Sequence, residues 1–298
     1  MATPSVPRPA HRILADRILR AGRRAGESIV TGPLPSPDEI AAIVHDLLSV
    51  LLPGTRRTRL AEDSSRRDAN ARLAEVLADL EVRLEDALFL TLHRRHIGRG
   101  GAKDACRRRA RAIAARTLAA LPELRALLAG DVQIAYEADP AATGTDEVIA
   151  CYPGLFAIAI YRAANRILRE GGELLPRMMT EHAHARTGID IHPGATIGSP
   201  FFIDHGTGIV IGETTRIGNS VRVYQGVTLG ALSIKRKKTG TLAPGVVPQR
   251  HPTIEDDVVI YANATILGGD TVIGKGAMVG ANAWITYSVP AGRRVGGG

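Results

Sequence analysis

The sequence predicts an α+β chain in which an all-helical N-terminal region is followed by a parallel β-helix of hexapeptide repeats. Three observations carry this. From Ile191 to Ile285 an aliphatic residue returns at six-residue spacing, through Ile191, Ile197, Ile203, then Ile211, Ile217, Val223 and Leu229, and again through Ile254, Ile260, Ile266, Ile273, Val279 and Ile285. A glycine directly follows several of them, at Gly198, Gly212, Gly218, Gly230, Gly274 and Gly280. Upstream of residue 185 the apolar residues instead recur at helical spacing. Six fits neither the 3.6 period of a helix nor the alternation of a strand, but it fits a triangular coil. Each unit gives one short strand and a corner, and the aliphatic side chain points into a narrow prism.

Residues 1–30 form a basic extension, with Pro4, Pro7 and Pro9 ahead of an Arg-rich amphipathic piece from Arg12 to Arg24. Asp16 and Glu27 interrupt its basic character, which argues for a leading helix over a transit peptide. A helical domain is expected over 31–185. Its first helix starts at Ser36, with Pro37 at the first helical position and Glu39 completing a capping box. Ile40, Ile43, Val44, Leu47, Leu48 and Leu51 form the buried stripe, and Pro53-Gly54 ends it. Further helices are predicted over Asp68–Ile97, Lys103–Leu128, Leu155–Arg169 and Leu174–His184, with turns at Asp139-Pro140 and Pro153-Gly154. His93 and His96 lie near a helix end, where dipole and capping roles outnumber metal binding.

The coil domain is expected over 186–298. Its repeat breaks between Leu229 and Ile254, where 25 residues stand in place of six. Residues 231–249 must project as a loop, and Lys235, Arg236, Lys237 and Lys238 make it basic, suited either to holding phosphates or to standing solvated.

Composition narrows the function classes. The chain has 298 residues and a net charge of +8, which welcomes an anionic partner, but aromatic residues are only 4%, against a base-stacking nucleic-acid binder. No apolar run approaches the length of a membrane span, so a soluble protein is expected. Cys106 and Cys151 form no metal or disulfide framework, and a reducing cytoplasm is the default compartment.

Polar side chains are misfits in an aliphatic prism wall, so chemistry belongs to its corners and insertions. Clusters occur at Asp190-Ile191-His192-Pro193, Asp204-His205-Gly206, Arg250-His251-Pro252 and the Asp139-Pro140 turn. At about 18 residues per coil, Asp190 and His205 fall on neighbouring coils of one side. His205 is the candidate base, because an imidazole titrates near neutrality and a carboxylate such as Asp190 would fix its tautomer. Arg250 and His251 close the long loop, and an arginine there suits a carboxylate. No G-x-S-x-G elbow occurs, which favours direct transfer over an acyl-enzyme.

The strings IDIHPGATIG, IDHGTGIVIGET, GVTLGA, RHPTI and IYANATILGG, with Asp139-Pro140-Ala141 and Tyr161-Arg162, resemble those of serine O-acetyltransferase. The resemblance implies a left-handed parallel β-helix, transfer of acetyl from acetyl-CoA to L-serine for cysteine synthesis, and trimers with active sites between subunits that can pair into hexamers. It implies that His205 is the base with Asp190 as its dyad partner, that Asp139 and Asp204 receive the substrate ammonium, that Arg250 receives the carboxylate, and that His251 orients serine. It places acetyl-CoA against Gly230, Ala231, Ala262 and Ala281. A thioester is already activated, so no metal is expected. The chain ends at Arg293-Arg294-Val295 and three glycines, where other members continue into a tail that docks into cysteine synthase, so that complex is not expected. The rival readings are another hydroxyl acceptor, a zinc hydratase using His192, His205 and His251, and a scaffold that only trimerises.

Overall fold

The computed structural model describes residues 9–24, 33–52, 66–94, 102–232 and 248–296. Among these residues eight helices precede the strands: α1 (Pro9–Arg24), α2 (Pro37–Leu51), α3 (Arg66–His93), α4 (Ala102–Ala119), α5 (Leu121–Ala138), α6 (Thr145–Cys151), α7 (Pro153–Arg169) and α8 (Leu175–Thr187). The capping box forms as expected: the Ser36 N–H donates to Glu39 Oε2 at 2.6 Å, and the Glu39 N–H to Ser36 Oγ at 3.2 Å. The ring of His93 stacks on Phe89 at 5.2 Å. The expected end of that helix at Ile97, with His96, lies outside the described residues.

One expected helix is two. The segment over Lys103–Leu128 breaks at Ala120, whose N–H turns back to Thr117 O at 3.1 Å before α5 begins. Pro122 is the cause: it has no N–H to continue the ladder, and it fits the first turn of a new helix. The new helix then runs on to Ala138, so that Asp139 is its C-cap. The short α6 was not anticipated. No single helix among the described residues is long and apolar enough to cross a membrane.

Fourteen short strands follow among the described residues: β1 (Asp190–Ile191), β2 (Thr196–Ile197), β3 (Phe201–Ile203), β4 (Val210–Ile211), β5 (Arg216–Ile217), β6 (Val221–Val223), β7 (Thr228–Gly230), β8 (Thr253–Ile254), β9 (Val259–Ile260), β10 (Thr265–Leu267), β11 (Val272–Ile273), β12 (Met278–Val279), β13 (Trp284–Ile285) and β14 (Arg294–Val295). Every third strand pairs in parallel up to β13, and β14 pairs with β12. Sheet A runs β1-β4-β7-β10-β13, sheet B β2-β5-β8-β11, and sheet C β3-β6-β9-β12-β14. The chain therefore winds A to B to C through about five coils. All the aliphatic positions of the repeat point inward, none more than 8% exposed. The expected loop 231–249 leaves sheet A after β7 and returns before β8; residues 233–247 of it lie outside the described residues.

The helices are fixed to the first coil by polar contacts. Arg162 on α7 clamps Asp131 on α5, with Nε to Oδ2 at 2.7 Å and Nη2 to Oδ1 at 2.8 Å, in a pair nearly sealed from solvent. The same guanidinium donates to Gly198 O at 2.9 Å, and Asp131 Oδ1 accepts the Phe201 N–H at 2.9 Å. Burial raises the Asp131 pKa against the opposing pull of Arg162. Tyr161 adds a bond from its hydroxyl to Ala195 O at 2.6 Å, and Asn165 one to Pro193 O at 2.7 Å. Removing one member strands a buried charge, so Asp131→Ala is expected to cost about 3–5 kcal/mol in urea unfolding. A loss below about 1 kcal/mol would show that this junction is not a main support of the fold.

Candidate active site

The polar groups collect at two corners of the prism. At the first, where strands of sheet C feed sheet A, the chain leaves β3 through Asp204 and His205. His205 adopts φ 55°, a left-handed conformation that histidine tolerates better than most residues. The turn is packed on the chain that enters β1, since a Cβ on Gly206 would lie 2.4 Å from Ile189 Cδ1. His205 Nε2 stands 3.8 Å from Asp204 Oδ1, and its side chain is 72% exposed.

The helical domain supplies the rest of this corner. A Cβ on Gly154 would lie 2.3 Å from Ile203 O, so glycine at the start of α7 lets the helix seat against the end of β3. That contact brings Tyr152 and Asp139 beside Asp204. The Tyr152 hydroxyl donates to Asp139 Oδ2 at 2.5 Å, and the Ala141 N–H donates to Asp139 Oδ1 at 2.8 Å. These two bonds hold the Asp139 carboxyl below its ordinary pKa, and His205 adds to the effect. The Tyr152 phenol is pushed up to about 12, first by Asp139, then by burial, with Asp204 contributing. Two carboxylates and an imidazole thus converge on one corner. Tyr152 was not singled out in the sequence; its only mark there was its place before the Pro153-Gly154 turn.

The second corner lies where sheet A feeds sheet B. Here Arg250 and His251 enter β8 beside Glu213 and Thr214, which follow β4. The Arg250 guanidinium pairs with Glu213 Oε2, leaving further N–H groups for a second acceptor. His251 is buried, and its Nδ1 accepts the Thr214 N–H at 3.1 Å. Burial, with the neighbouring Arg250, lowers its pKa to about 4. Burial likewise lowers the pKa of His192, whose Nδ1 accepts the Gly194 N–H at 3.0 Å.

One chain therefore joins Asp139, Asp204 and His205 but not Arg250 and His251, which stand at the opposite margin of sheet A. The small residues divide in the same way. Ala262 and Ala281 follow β9 and β12 at the first corner; Gly230 ends β7 and Ala231 follows it at the second. Asp190 begins β1 on the margin of sheet A that carries His205, with its N–H bonded to Ile209 O at 2.9 Å. Its carboxylate, however, contacts Arg177 Nη1 of α8 at 3.4 Å, and among the described residues no hydrogen bond joins it to His205. Glu181, His184 and Asp190 bring three donor atoms within 4.8 Å of one another. Arg177 pairs with both carboxylates of that group, so a cation already occupies it. Within one chain the three-histidine zinc alternative is split in the same way, because His192 and His251 share one corner and His205 lies at the other.

No family model matches the sequence. Over 264 residues, however, the chain is 46% identical to the plasmid serine acetyltransferase of Synechococcus elongatus, covering 87% of this chain and 81% of that relative. The chain belongs to the serine acetyltransferase family. Serine acetyltransferase structures share its architecture. Serine acetyltransferase 1 of Entamoeba histolytica, solved with L-cysteine, superposes with a TM-score of 0.72 at 33% identity, over 85% of this chain and 86% of that one. The Neisseria gonorrhoeae serine acetyltransferase in complex with serine gives 0.55 at 27% identity, over 86% and 95%. A serine acetyltransferase complex with CoA gives 0.53 at 28% identity, over 85% and 98%.

The buried histidine sets a pH dependence for this member of the serine acetyltransferase family. His251 titrates at about 4 when folded and near 6.5 when unfolded, so between those values the unfolded chain binds more protons. Stability should therefore fall as pH drops from about 6.5 to about 4. His251→Asn, whose Oδ1 can replace Nδ1 as acceptor, should lose less across that window, measured as the shift of the urea midpoint. An equal loss in both proteins would remove His251 as a source of the acid sensitivity.

Proposed function

We propose that the chain transfers acetyl from acetyl-CoA to the hydroxyl of L-serine, giving O-acetyl-L-serine and CoA, in direct transfer with His205 as general base. The observation that carries the reading is the convergence of Asp139, Asp204 and His205 on one corner. Two carboxylates suit the ammonium group of an amino acid, and an exposed imidazole beside them suits its hydroxyl. The hydroxyl proton passes to His205 as the serine oxygen attacks the thioester carbonyl. Collapse of the tetrahedral intermediate expels the CoA sulfur, and the imidazolium can return that proton. Asp190, on the same margin of sheet A, is the carboxylate we assign to steady the imidazolium. A neutral serine hydroxyl is a poor nucleophile, so a positioned base contributes about 10²–10⁴-fold.

The substrate carboxylate falls to Arg250, and His251 orients the amino acid. Because these stand at the other margin of sheet A, the complete site takes its second corner from a neighbouring copy. A trimer is the arrangement we infer, with acetyl-CoA lying between prisms against Gly230, Ala231, Ala262 and Ala281. The outward column of sheet A supports this, since it runs Asp190, Val210, Thr228, Thr265, Trp284 in register and leaves Trp284 66% exposed.

The test is release of CoA thiol from acetyl-CoA with L-serine, with a sugar acceptor, and with no acceptor. Release is expected with serine alone, and His205→Ala should lower it at least about a hundredfold. Unchanged turnover in that variant would remove the proposed base, and faster turnover with the sugar would replace the proposed acceptor.

A further inference from the structure

Thr214 has no role in the reaction as described, yet the second corner is built around its side chain. Its hydroxyl oxygen accepts the backbone N–H of Arg250 at 3.0 Å and that of His251 at 3.1 Å. It also lies 2.8 Å from His251 Nδ1. A threonine hydroxyl has two lone pairs and one hydrogen. The two backbone donors fill the lone pairs, so the hydrogen must point to Nδ1. The Thr214 N–H points there too, at 3.1 Å. Two donors aimed at one ring nitrogen leave it no proton of its own, and the ring proton stays on Nε2.

The surroundings reinforce this geometry. A Cβ on Gly212 would lie 2.1 Å from both Nε2 and Cδ2 of His251, so the absent side chain is what lets the ring lie flat against the coil. The Gln249 amide donates to Thr214 O at 2.7 Å and to His251 O at 2.6 Å, tying the end of the long loop to the same point. The charged and titratable groups acting on the ring are Arg250, Glu213 and His192. Arg250 and burial both oppose its protonation, in keeping with the low pKa of His251.

We propose that Thr214 is a positioning residue that locks His251 as a neutral Nε2–H donor and seats Arg250 for the substrate carboxylate. The proposal rests on the reading of Arg250 and His251 as the carboxylate end of the serine site. It deepens that reading by assigning their alignment to one hydroxyl. The corner then offers the substrate a permanent guanidinium and a neutral N–H donor whose state does not change with pH near neutrality.

Two measurements test it. In the full-length protein labelled with ¹⁵N-histidine, the resonance lost in His251→Asn should show Nδ1 unprotonated and Nε2 protonated, unchanged between pH about 8 and about 5.5. Thr214→Val should raise the KM for L-serine at least about tenfold with a smaller effect on the KM for acetyl-CoA, while Thr214→Ser should stay within about threefold of the parent. An Nδ1–H ring in the parent, or a Thr214→Val variant whose serine KM is unchanged, would overturn the proposal. If Thr214→Val does not fold, the parent spectrum and Thr214→Ser decide: an Nδ1–H ring, or a serine variant as damaged as a loss of the hydroxyl, overturns it. Arg250→Ala separates the two levels. If that variant keeps the parent KM for L-serine, the reading of the corner itself fails; if its KM rises while that of Thr214→Val does not, only the lock fails.

Discussion

A prism whose walls are two or three residues wide has no room inside for a charged group, and this constraint governs where the polar chemistry of the molecule can lie. Aliphatic side chains fill the interior, from Ile191 in the first coil to Ile285 in the last. Any group that must carry charge is forced to a corner. Corners of one kind lie on one margin of a sheet, so groups fixed to different corners of the same chain are held apart by its width. Asp204 and His205 stand at one corner and Arg250 and His251 at another. One chain therefore keeps the two sets apart, and the proposed amino-acid site, which draws on both, is one to be completed between two copies.

The helical domain completes one corner and steadies it. Its junction with the first coil runs through Arg162, which reaches from the buried Asp131 to the backbone at Gly198. With α7 so anchored, glycine at position 154 allows contact with β3, and Tyr152 then holds Asp139 next to Asp204. The position of the Asp139 carboxylate is thus set by a chain of packing that begins at the pair between α5 and α7, away from this corner. At the opposite corner the same result is reached locally, by one hydroxyl and one missing side chain.

The architecture was legible in the sequence because the repeat writes one aliphatic residue per strand, and all of these positions are buried as expected. The break at Ala120 was missed because the apolar spacing continues across it; Pro122 carried the information but fits a first turn as readily as a kink. Of the site, His205, Asp204, Asp139, Arg250 and His251 could be named from their strings. Their division between corners could not, since it depends on which turn of each coil they occupy. The partner found for Asp190 differs from the one expected, because Arg177 stands on α8 and nothing in the repeat points to it. Tyr152 and Thr214 were invisible for another reason: each acts by bonding a neighbour, and hydroxyl residues in turns are too common to mark themselves.

The claim on which the account turns is that a working site draws one corner from each of two copies. Co-refolding His205→Ala with Arg250→Ala, at a serine concentration where neither variant turns over, tests it most directly. Statistical mixing should restore roughly a quarter of the parent's rate, because that share of junctions joins two intact corners. A mixture no more active than its separate components would contradict the account and place the whole site within a single chain.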